Sequence, residues 1–555
     1  MLFKKRFNNK VFAYPLLAGL LLSSGFALAE EVAIGAQTEI SVEEQEQQAK
    51  IQARLAEIAA EEKAALRAQK GYYGERRSYG TQKETEPPRY VKQANKTWLK
   101  DYAAFDDVNW LDLGLEYRAR YEHRDNDFRR NKENIDDPLL LRTRAYVGVK
   151  DILDPLRFAL EVQDSRRNHS DYSREFDTRD VNQADVLQGY LELHFKDSVF
   201  GKDDLGNNRP FWVRAGRLSW ESLDRRLIAR NEWRNTTNTF QGVRANIGEK
   251  KNDWQLEAFA VKPVQRFTKQ LDEVSHAQDF YGVIGDWRRW SEYVTLQPYY
   301  FLLKQDGDKV KYDTYGRDAL PNTKIDREIH TAGLRAYGVF NSGWDYDASY
   351  VKQWGQQDRL SDKGALIKEV GHDAHAYTAE VGYTFKHAWK PRLSASYGVA
   401  TGDKSPAKGT DFSDNQRFER LFGFARPWSN SDYIQMENIR TPKVHLEFDP
   451  QTSFLENVKV DTSFSWYRLD SASDRWNAGA NLRDRTGNSG KDLGKEVDVR
   501  VRFPINQYAS LNIGYAHFWA GDFVKSAVKI PSNANDPTRS DSSDFFYTEL
   551  TLLGF

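Results

Sequence analysis

The stretch Leu111–Glu122 reads LDLGLEYRARYE, and its alternation decides the fold class. Leu111, Leu113, Leu115, Tyr117, Ala119 and Tyr121 are apolar or aromatic. Asp112, Gly114, Glu116, Arg118, Arg120 and Glu122 are small or charged. A strand sends successive side chains to opposite faces, so this one has a greasy face and an ionic face. Two architectures accept such a strand. A water-soluble sandwich buries the apolar face under a second sheet. An outer-membrane barrel turns it to lipid and keeps the charges in the lumen.

The remaining sequence favours the barrel. The 555 residues are 29% charged yet 13% aromatic, and the mean hydropathy is −0.75. Helical spans need roughly 20 consecutive apolar residues, whereas a barrel combines a polar lumen and polar loops with aromatics at the lipid interfaces. The absence of cysteine excludes disulfides, zinc–thiolate sites and cysteine nucleophiles. A net charge of −1 offers no global basic field to nucleic acid.

The N-terminus sets the compartment. Lys4, Lys5 and Arg6 precede an apolar run from about Val11 to Leu22, and Ala27-Leu28-Ala29 offers a small-x-small cleavage site. Residues 1–29 therefore read as a signal peptide, the apolar run being too short for an anchor. Residues 30–97 read as a helical arm and a linker. Ser41–Lys70 lacks Gly and Pro and carries Ile51, Leu55, Ile58 and Leu66 at helix-like spacing, with Ser41 and Glu44 as a capping box. A periplasmic helix offering a surface to a periplasmic partner is one reading. A solvated arm is the other, because isolated helices of this kind are marginal. Gly71–Lys96, with Gly71, Gly74, Gly80, Pro87 and Pro88, reads as linker.

Residues 98–555 read as the barrel. Leu141, Thr143, Ala145, Val147 and Val149 alternate with Arg142, Arg144, Tyr146, Gly148 and Lys150, and Val497, Val499 and Val501 alternate with Glu496, Asp498, Arg500 and Arg502. Short links such as Lys150–Pro155 alternate with long polar segments at Arg166–Asn182, Gln305–Asp326 and Gly402–Arg440. Short turns on one rim and long loops on the other are the barrel arrangement. About 18 antiparallel strands are predicted, starting near Leu111, Leu139, Pro155, Ala184, Phe211, Thr239, Asp253, Asp279, Val294, Glu328, Trp344, Asp373, Arg392, Lys443, Val458, Lys495, Tyr508 and Phe545. Sixteen is the alternative, because the strands near Asp279 and Lys443 are weakly patterned. The final Phe555 resembles the aromatic signal that such barrels present to their assembly machinery. Counting back by twos from it puts Glu549 on the lipid face, a mismatch that a bulge or a phase shift near Gly554 would repair.

The sequence points to no catalytic residue, metal or cofactor. His372 and His375 fall where i and i+3 point to opposite faces of a strand, and no nucleophile elbow, phosphate loop or HExxH is present. The stronger signal is cationic. Arg118, Arg120, Arg142, Arg144, Arg157, Arg214, Arg244, Arg500 and Arg502 take the inward phase; Val213 and Ala215 flank Arg214, and Val243 and Ala245 flank Arg244. Of these, Arg118, Arg120, Arg142, Arg144, Arg214, Arg244, Arg500 and Arg502 are the candidate substrate contacts. Guanidinium matches carboxylate geometry and stays charged, and rings of Arg and Lys line pores for anions. Glu116, Glu161, Glu192, Glu257, Glu496 and Asp498 share the inward phase, so a lumen of mutually satisfied ion pairs is the competing reading.

Two loop-bearing stretches stand out: Trp212–Gly242, polar and Arg-rich, and Thr401–Phe424, ending in an aromatic cluster at Phe418, Leu421, Phe422 and Phe424. Here the chain resembles the alginate export family. The matching features are Gly216-Arg217-Leu218 with Arg230-Asn231-Glu232-Trp233 and Thr239-Phe240-Gln241-Gly242; Gly402-Asp403 with Arg417-Phe418-Glu419-Arg420-Leu421-Phe422; and Gly494-Lys495-Glu496-Val497-Asp498 with the run Leu511–Gly521. The resemblance covers about Asp112–Phe555. It implies a monomeric barrel of about 18 strands whose electropositive constriction passes an anionic uronate polysaccharide outward. The arm before Trp98 and the stretch Gly423–Asn430 depart from the family pattern.

The expectation is an outer-membrane channel of a Gram-negative bacterium for an anionic polysaccharide or oligosaccharide, with outer-membrane lipid around it. Two alternatives stay open: an uptake porin for small organic acids or sugars, and a barrel enzyme or adhesin.

Overall fold

The computed structural model describes residues 88–555 except 130–134, 171–176, 314–315, 321–322, 361–365, 405–413, 452–456, 480 and 531–540, together with residues 49, 50, 52–54 and 56. Those six isolated positions are helical. The expected signal peptide, the rest of the expected arm and the expected linker up to residue 87 lie outside the described residues.

Eighteen antiparallel strands form one closed barrel. They are β1 (Leu111–Asp125), β2 (Leu139–Leu153), β3 (Leu156–Asn168), β4 (Asn182–Phe195), β5 (Phe211–Leu218), β6 (Phe240–Ile247), β7 (Trp254–Gln265), β8 (Gln278–Ser291) and β9 (Val294–Gln305). Then follow β10 (Arg327–Val339), β11 (Trp344–Leu360), β12 (Leu366–Thr384), β13 (Arg392–Ala400), β14 (Ile439–Phe448), β15 (Lys459–Arg468), β16 (Asp492–Asn506), β17 (Ala509–Ala520) and β18 (Ser542–Leu553). Each strand pairs with the next, and β1 pairs with β18 from Glu116↔Leu553 to Asp125↔Asp544, which closes the sheet. Closure removes every long edge, so each strand's backbone groups find partners without water. The strands expected near Asp279 and Lys443 are present as β8 and β14.

The faces follow the alternation. Leu115, Tyr117, Tyr121, Phe158, Leu160, Val162, Leu191 and Leu193 point outward. Trp287, Trp290, Trp344 and Trp389 stand exposed near one rim, as expected of an interfacial aromatic girdle. Links of two residues at 154–155, 292–293 and 507–508 lie on that rim, and the loops 219–239, 306–326, 401–438 and 469–491 lie on the other. The link 196–210 is an exception to the short-turn pattern. It is pinned to the barrel by Arg209, whose guanidinium sits 2.8 Å from Asp253.

Residues 88–97, placed with the linker in the sequence reading, are ordered against the barrel. Lys92–Gln93 pair with β1 at Leu113 and Asp112, and Ala94–Lys96 make a 3-10 turn. At the other terminus β18 ends at Leu553, and the Gly554 amide donates to Leu115 carbonyl at 2.9 Å. Glu549 therefore stays on the inner face, 3.2 Å from Arg120, and Phe555 leaves the strand to stack on Trp98 at 6.2 Å.

Candidate functional site in the barrel interior

A wall of 18 strands encloses more space than its own side chains fill. Loops fill it here. The β5–β6 loop, 219–239, and residues 414–438 of the β13–β14 loop fold inward and meet each other. Ala229 amide donates to Phe422 carbonyl at 3.1 Å, Phe422 amide to Leu227 carbonyl at 3.0 Å, and Phe424 amide to Arg225 carbonyl at 2.9 Å. The contact is close at Gly423, where a Cβ would meet Arg226 carbonyl at 1.8 Å.

Apolar burial draws the loops in. Trp220 packs on Phe240 at 4.8 Å and Phe259 at 5.3 Å. Phe422 packs on Phe240 at 5.0 Å and Phe280 at 4.9 Å. Leu223, Leu227, Ile228, Phe418, Leu421, Trp428 and Tyr433 join the same buried cluster. Burying such side chains favours the infolded state by about 1.5–3 kcal/mol each. The loop carbonyls then lie away from bulk water and need donors. Wall arginines supply them. Arg118 donates to the carbonyls of Glu232 at 2.9 Å and Arg234 at 3.0 Å, and Arg142 to the same two at 3.1 Å. Arg120 donates to Trp233 carbonyl at 2.6 Å, and Arg144 to the Glu232 carboxylate at 2.5 Å.

All eight candidate arginines lie on the inner face, and each stands near a carboxylate. Arg118 is 3.6 Å from Glu549, Arg120 is 2.7 Å from Glu122, and Arg142 is 2.8 Å from Glu116. Arg144 is 2.5 Å from Glu232, and Arg244 is 2.5 Å from Glu257. Arg500 is 2.8 Å and Arg502 is 3.6 Å from Asp461, and Arg214 pairs with Glu192. Arg157, also inward, is 2.6 Å from Asp151. The structure thus divides them. Arg118, Arg120, Arg142 and Arg144 are buried against the β5–β6 loop. Arg214, with 24% of its side chain accessible, is the most open of the eight.

Glu232 is the carboxylate shared by the first group. It contacts Arg144, Arg142 at 3.6 Å, and Arg230. Burial alone would raise its pKa, but Arg144, Arg230 and Arg142 together hold it well below the usual carboxylate range.

On the opposite wall a cleft of about 790 Å³, counted with its open mouth, separates the β5–β6 loop from strands β6–β10. Arg225, Arg244, Lys250, Arg288 and Arg335 line it with Glu221, Asp224, Glu257 and Asp286. Arg335 lies 2.5 Å from Asp347, and Arg288 lies 3.5 Å from Asp286. Sequence reasoning found Arg244 and missed the other four cations. The signal for Arg335 was present, since Leu334 and Ala336 flank it as Val243 and Ala245 flank Arg244. Arg288 was obscured by its neighbour Arg289, which faces outward and pairs with Asp204 at 2.8 Å. His372 is buried on the inner face, while His375 stacks outward on Tyr350 at 6.4 Å, so the pair does not converge.

A closed antiparallel barrel with a lipid-facing belt and a loop-narrowed, charged interior defines an outer-membrane channel. Residues 109–535 match the family model described as alginate export, and the chain belongs to that family. It is a protein of the Gram-negative outer membrane. No curated protein matches it in sequence. Among solved structures it is similar to Pseudomonas aeruginosa OpdQ, at 12% identity and a TM-score of 0.48 over 80% of this chain and 97% of that one. It is likewise similar to Pseudomonas aeruginosa OccK8 (OprE), at 13% identity and a TM-score of 0.47 over 80% and 98%. A third is Pseudomonas aeruginosa OccK11 (OpdR), at 12% identity and a TM-score of 0.46 over 80% and 95%.

Proposed function

We propose that this channel passes an anionic polysaccharide or oligosaccharide of the uronate type, outward across the outer membrane. The observation that carries the reading is the cleft between the β5–β6 loop and the wall, where five cations face four acids. Membership of the alginate export family supports the substrate class. A polymer with one carboxylate per sugar would exchange its counterions for successive guanidinium groups. Each group already shares its charge with an acid, so none holds the polymer tightly, and conduction requires release. Arg214, Arg244 and Arg335 are the contacts this reading favours, and the arginines buried under the loop shape the constriction. The cations that line the cleft would also receive the carboxylate of a small organic acid, which keeps uptake as the second reading.

The test is the reversal potential of the refolded protein in a planar bilayer under a salt gradient, with and without oligouronates. Anion-selective current that oligouronates block supports the reading. Block by small acids alone favours the porin reading, and cation-selective current overturns both. A charge about 4 Å from a passing ion is worth about 1 kcal/mol in water. Arg244→Gln with Arg335→Gln removes two such charges and is therefore expected to lower the anion preference by about thirtyfold in the same measurement.

A further inference from the structure

We propose that the segment ahead of β1 is a stopper in the periplasmic mouth, in which Arg89 and Tyr90 are positioning residues for the β5–β6 loop. The segment is anchored at the rim. Lys92 and Gln93 occupy the edge of β1 below its last pairing with β18. Lys92 Nζ donates to Phe555 carbonyl at 2.9 Å, and Gln93 Nε2 to Asn109 carbonyl at 3.0 Å. Trp98 Nε1 donates to Gly554 carbonyl at 2.8 Å while its ring stacks on Phe555.

From that anchor the chain turns inward. Tyr90 is only 4% exposed. Its ring fills the space that a Cβ on Gly114 would enter, 2.7 Å away, so the glycine admits it. Its hydroxyl donates to Glu161 at 2.8 Å. Glu161 also accepts from Gln188 at 2.7 Å and pairs with Arg230 of the loop. The neighbouring Arg89 pairs with Glu221, on the other limb of the same loop, and Glu221 lies 3.1 Å from Arg225. One dipeptide thus reaches both limbs of 219–239, directly through Glu221 and across Glu161 through Arg230. Withdrawal of the segment toward the periplasm removes both restraints at once and leaves Arg230 and Glu161 without the buried phenol that covers them. The constriction is then coupled to whatever pulls on the residues before Pro88.

The test is the current carried by the full chain in plain potassium chloride, where no substrate enters the result. Arg89→Ala with Tyr90→Phe is expected to raise the mean current and its noise severalfold. Equal current in variant and wild type, both migrating as folded barrels in unheated detergent gels, overturns the proposal. A second variant guards against misfolding. Lys92 and Leu113 are direct antiparallel partners, close enough for a disulfide, and the chain has no other cysteine. Lys92→Cys with Leu113→Cys should show fewer openings when oxidised than after reduction. The same current in both redox states also overturns the proposal. Ion selectivity and oligouronate block, which test the transported substrate, are independent of either outcome.

Discussion

Glu232 shows how one side chain sets the charge of the constriction. Three guanidinium groups, Arg142, Arg144 and Arg230, contact its carboxylate, and 28% of that side chain is accessible to the open interior. An anion approaching the loop therefore meets three cations already neutralised in part. Glu232→Gln keeps the size and one acceptor oxygen but removes the charge. The expected result is a larger anion-to-cation permeability ratio and a less stable loop, by about 2 kcal/mol, since an unbalanced buried cation is costly but the site is partly wet. Reversal potentials and thermal unfolding measure the two effects. The sign of the pH dependence follows from the same contacts. A carboxylate held below its ordinary value of 4.5 contributes stability that is complete above that value and is lost only as pH falls through the lower folded-state value. The difference in selectivity between wild type and Glu232→Gln should consequently stay flat from about pH 8 to about pH 5, whereas an unpaired carboxylate would begin to titrate near the bottom of that range. The neighbouring Trp233 reinforces the cluster: the guanidinium groups of Arg120 and Arg426 lie 3.9 and 3.3 Å from its ring centroid, a contact worth up to about 2 kcal/mol when desolvated.

Among the elements, the β7–β8 loop, 266–277, carries a titration of opposite sign. Asp272 Oδ1 accepts from Asn182 Nδ2 at 2.8 Å and from Phe267 amide at 2.9 Å. Burial and then repulsion from Asp185 push its pKa from 3.8 up to about 7. A raised carboxyl binds its proton more tightly in the folded state, so stability is greatest below the unfolded value and falls as pH rises from about 4 to about 7. Asp272→Asn preserves both accepted hydrogen bonds and supplies a donor toward Asp185. Amide hydrogen exchange in 266–277 is expected to accelerate with pH beyond its intrinsic rate in the wild type and not in the variant; equal excess in both would refute the assignment. Element by element, the strands were legible wherever lipid lies on one face and charge on the other, as in β1, β2 and β16. The pattern weakens in β8 for a physical reason. Its inward residues Phe280 and Ile284 are as apolar as the outward Tyr281 and Val283, because the inner face packs against the infolded loops rather than water. In β14 the blurring is different: Arg440 and Pro442 stand on the outward face and interrupt its apolar run.

At the scale of the whole molecule, the inward phase of the arginines was readable, but their environment was not. Period-two alternation assigns a face; it carries no information on which distant loop will cover that face. Arg118 and Arg142 look like free pore cations in sequence, yet their donors are taken by carbonyls of residues 232 and 234, a long way down the chain. The aromatic cluster Phe418–Phe424 was visible as a cluster, and only the fold shows that it packs on Phe240 and Phe280 inside the barrel. The wall and the filling are therefore separate systems, and they can be separated by experiment. The register between β5 and β6 runs unbroken from Phe211↔Ile247 to Leu218↔Phe240, so the hairpin does not depend on the infolded part of its loop. Replacing residues 220–238 by a short Gly-Ser turn removes Trp220, Leu223, Leu227 and Ile228 from the buried cluster and leaves the 18-strand wall intact. Barrels of about this size hold an aqueous channel when unobstructed. The shortened protein is expected to keep the slow, heat-modifiable migration of a closed barrel, to unfold at lower temperature, and to conduct severalfold more current with weaker ion selectivity. If the current instead stays at the wild-type level in a barrel that still closes, the 401–438 loop narrows the passage without its partner, and the β5–β6 loop is a lining rather than the constriction.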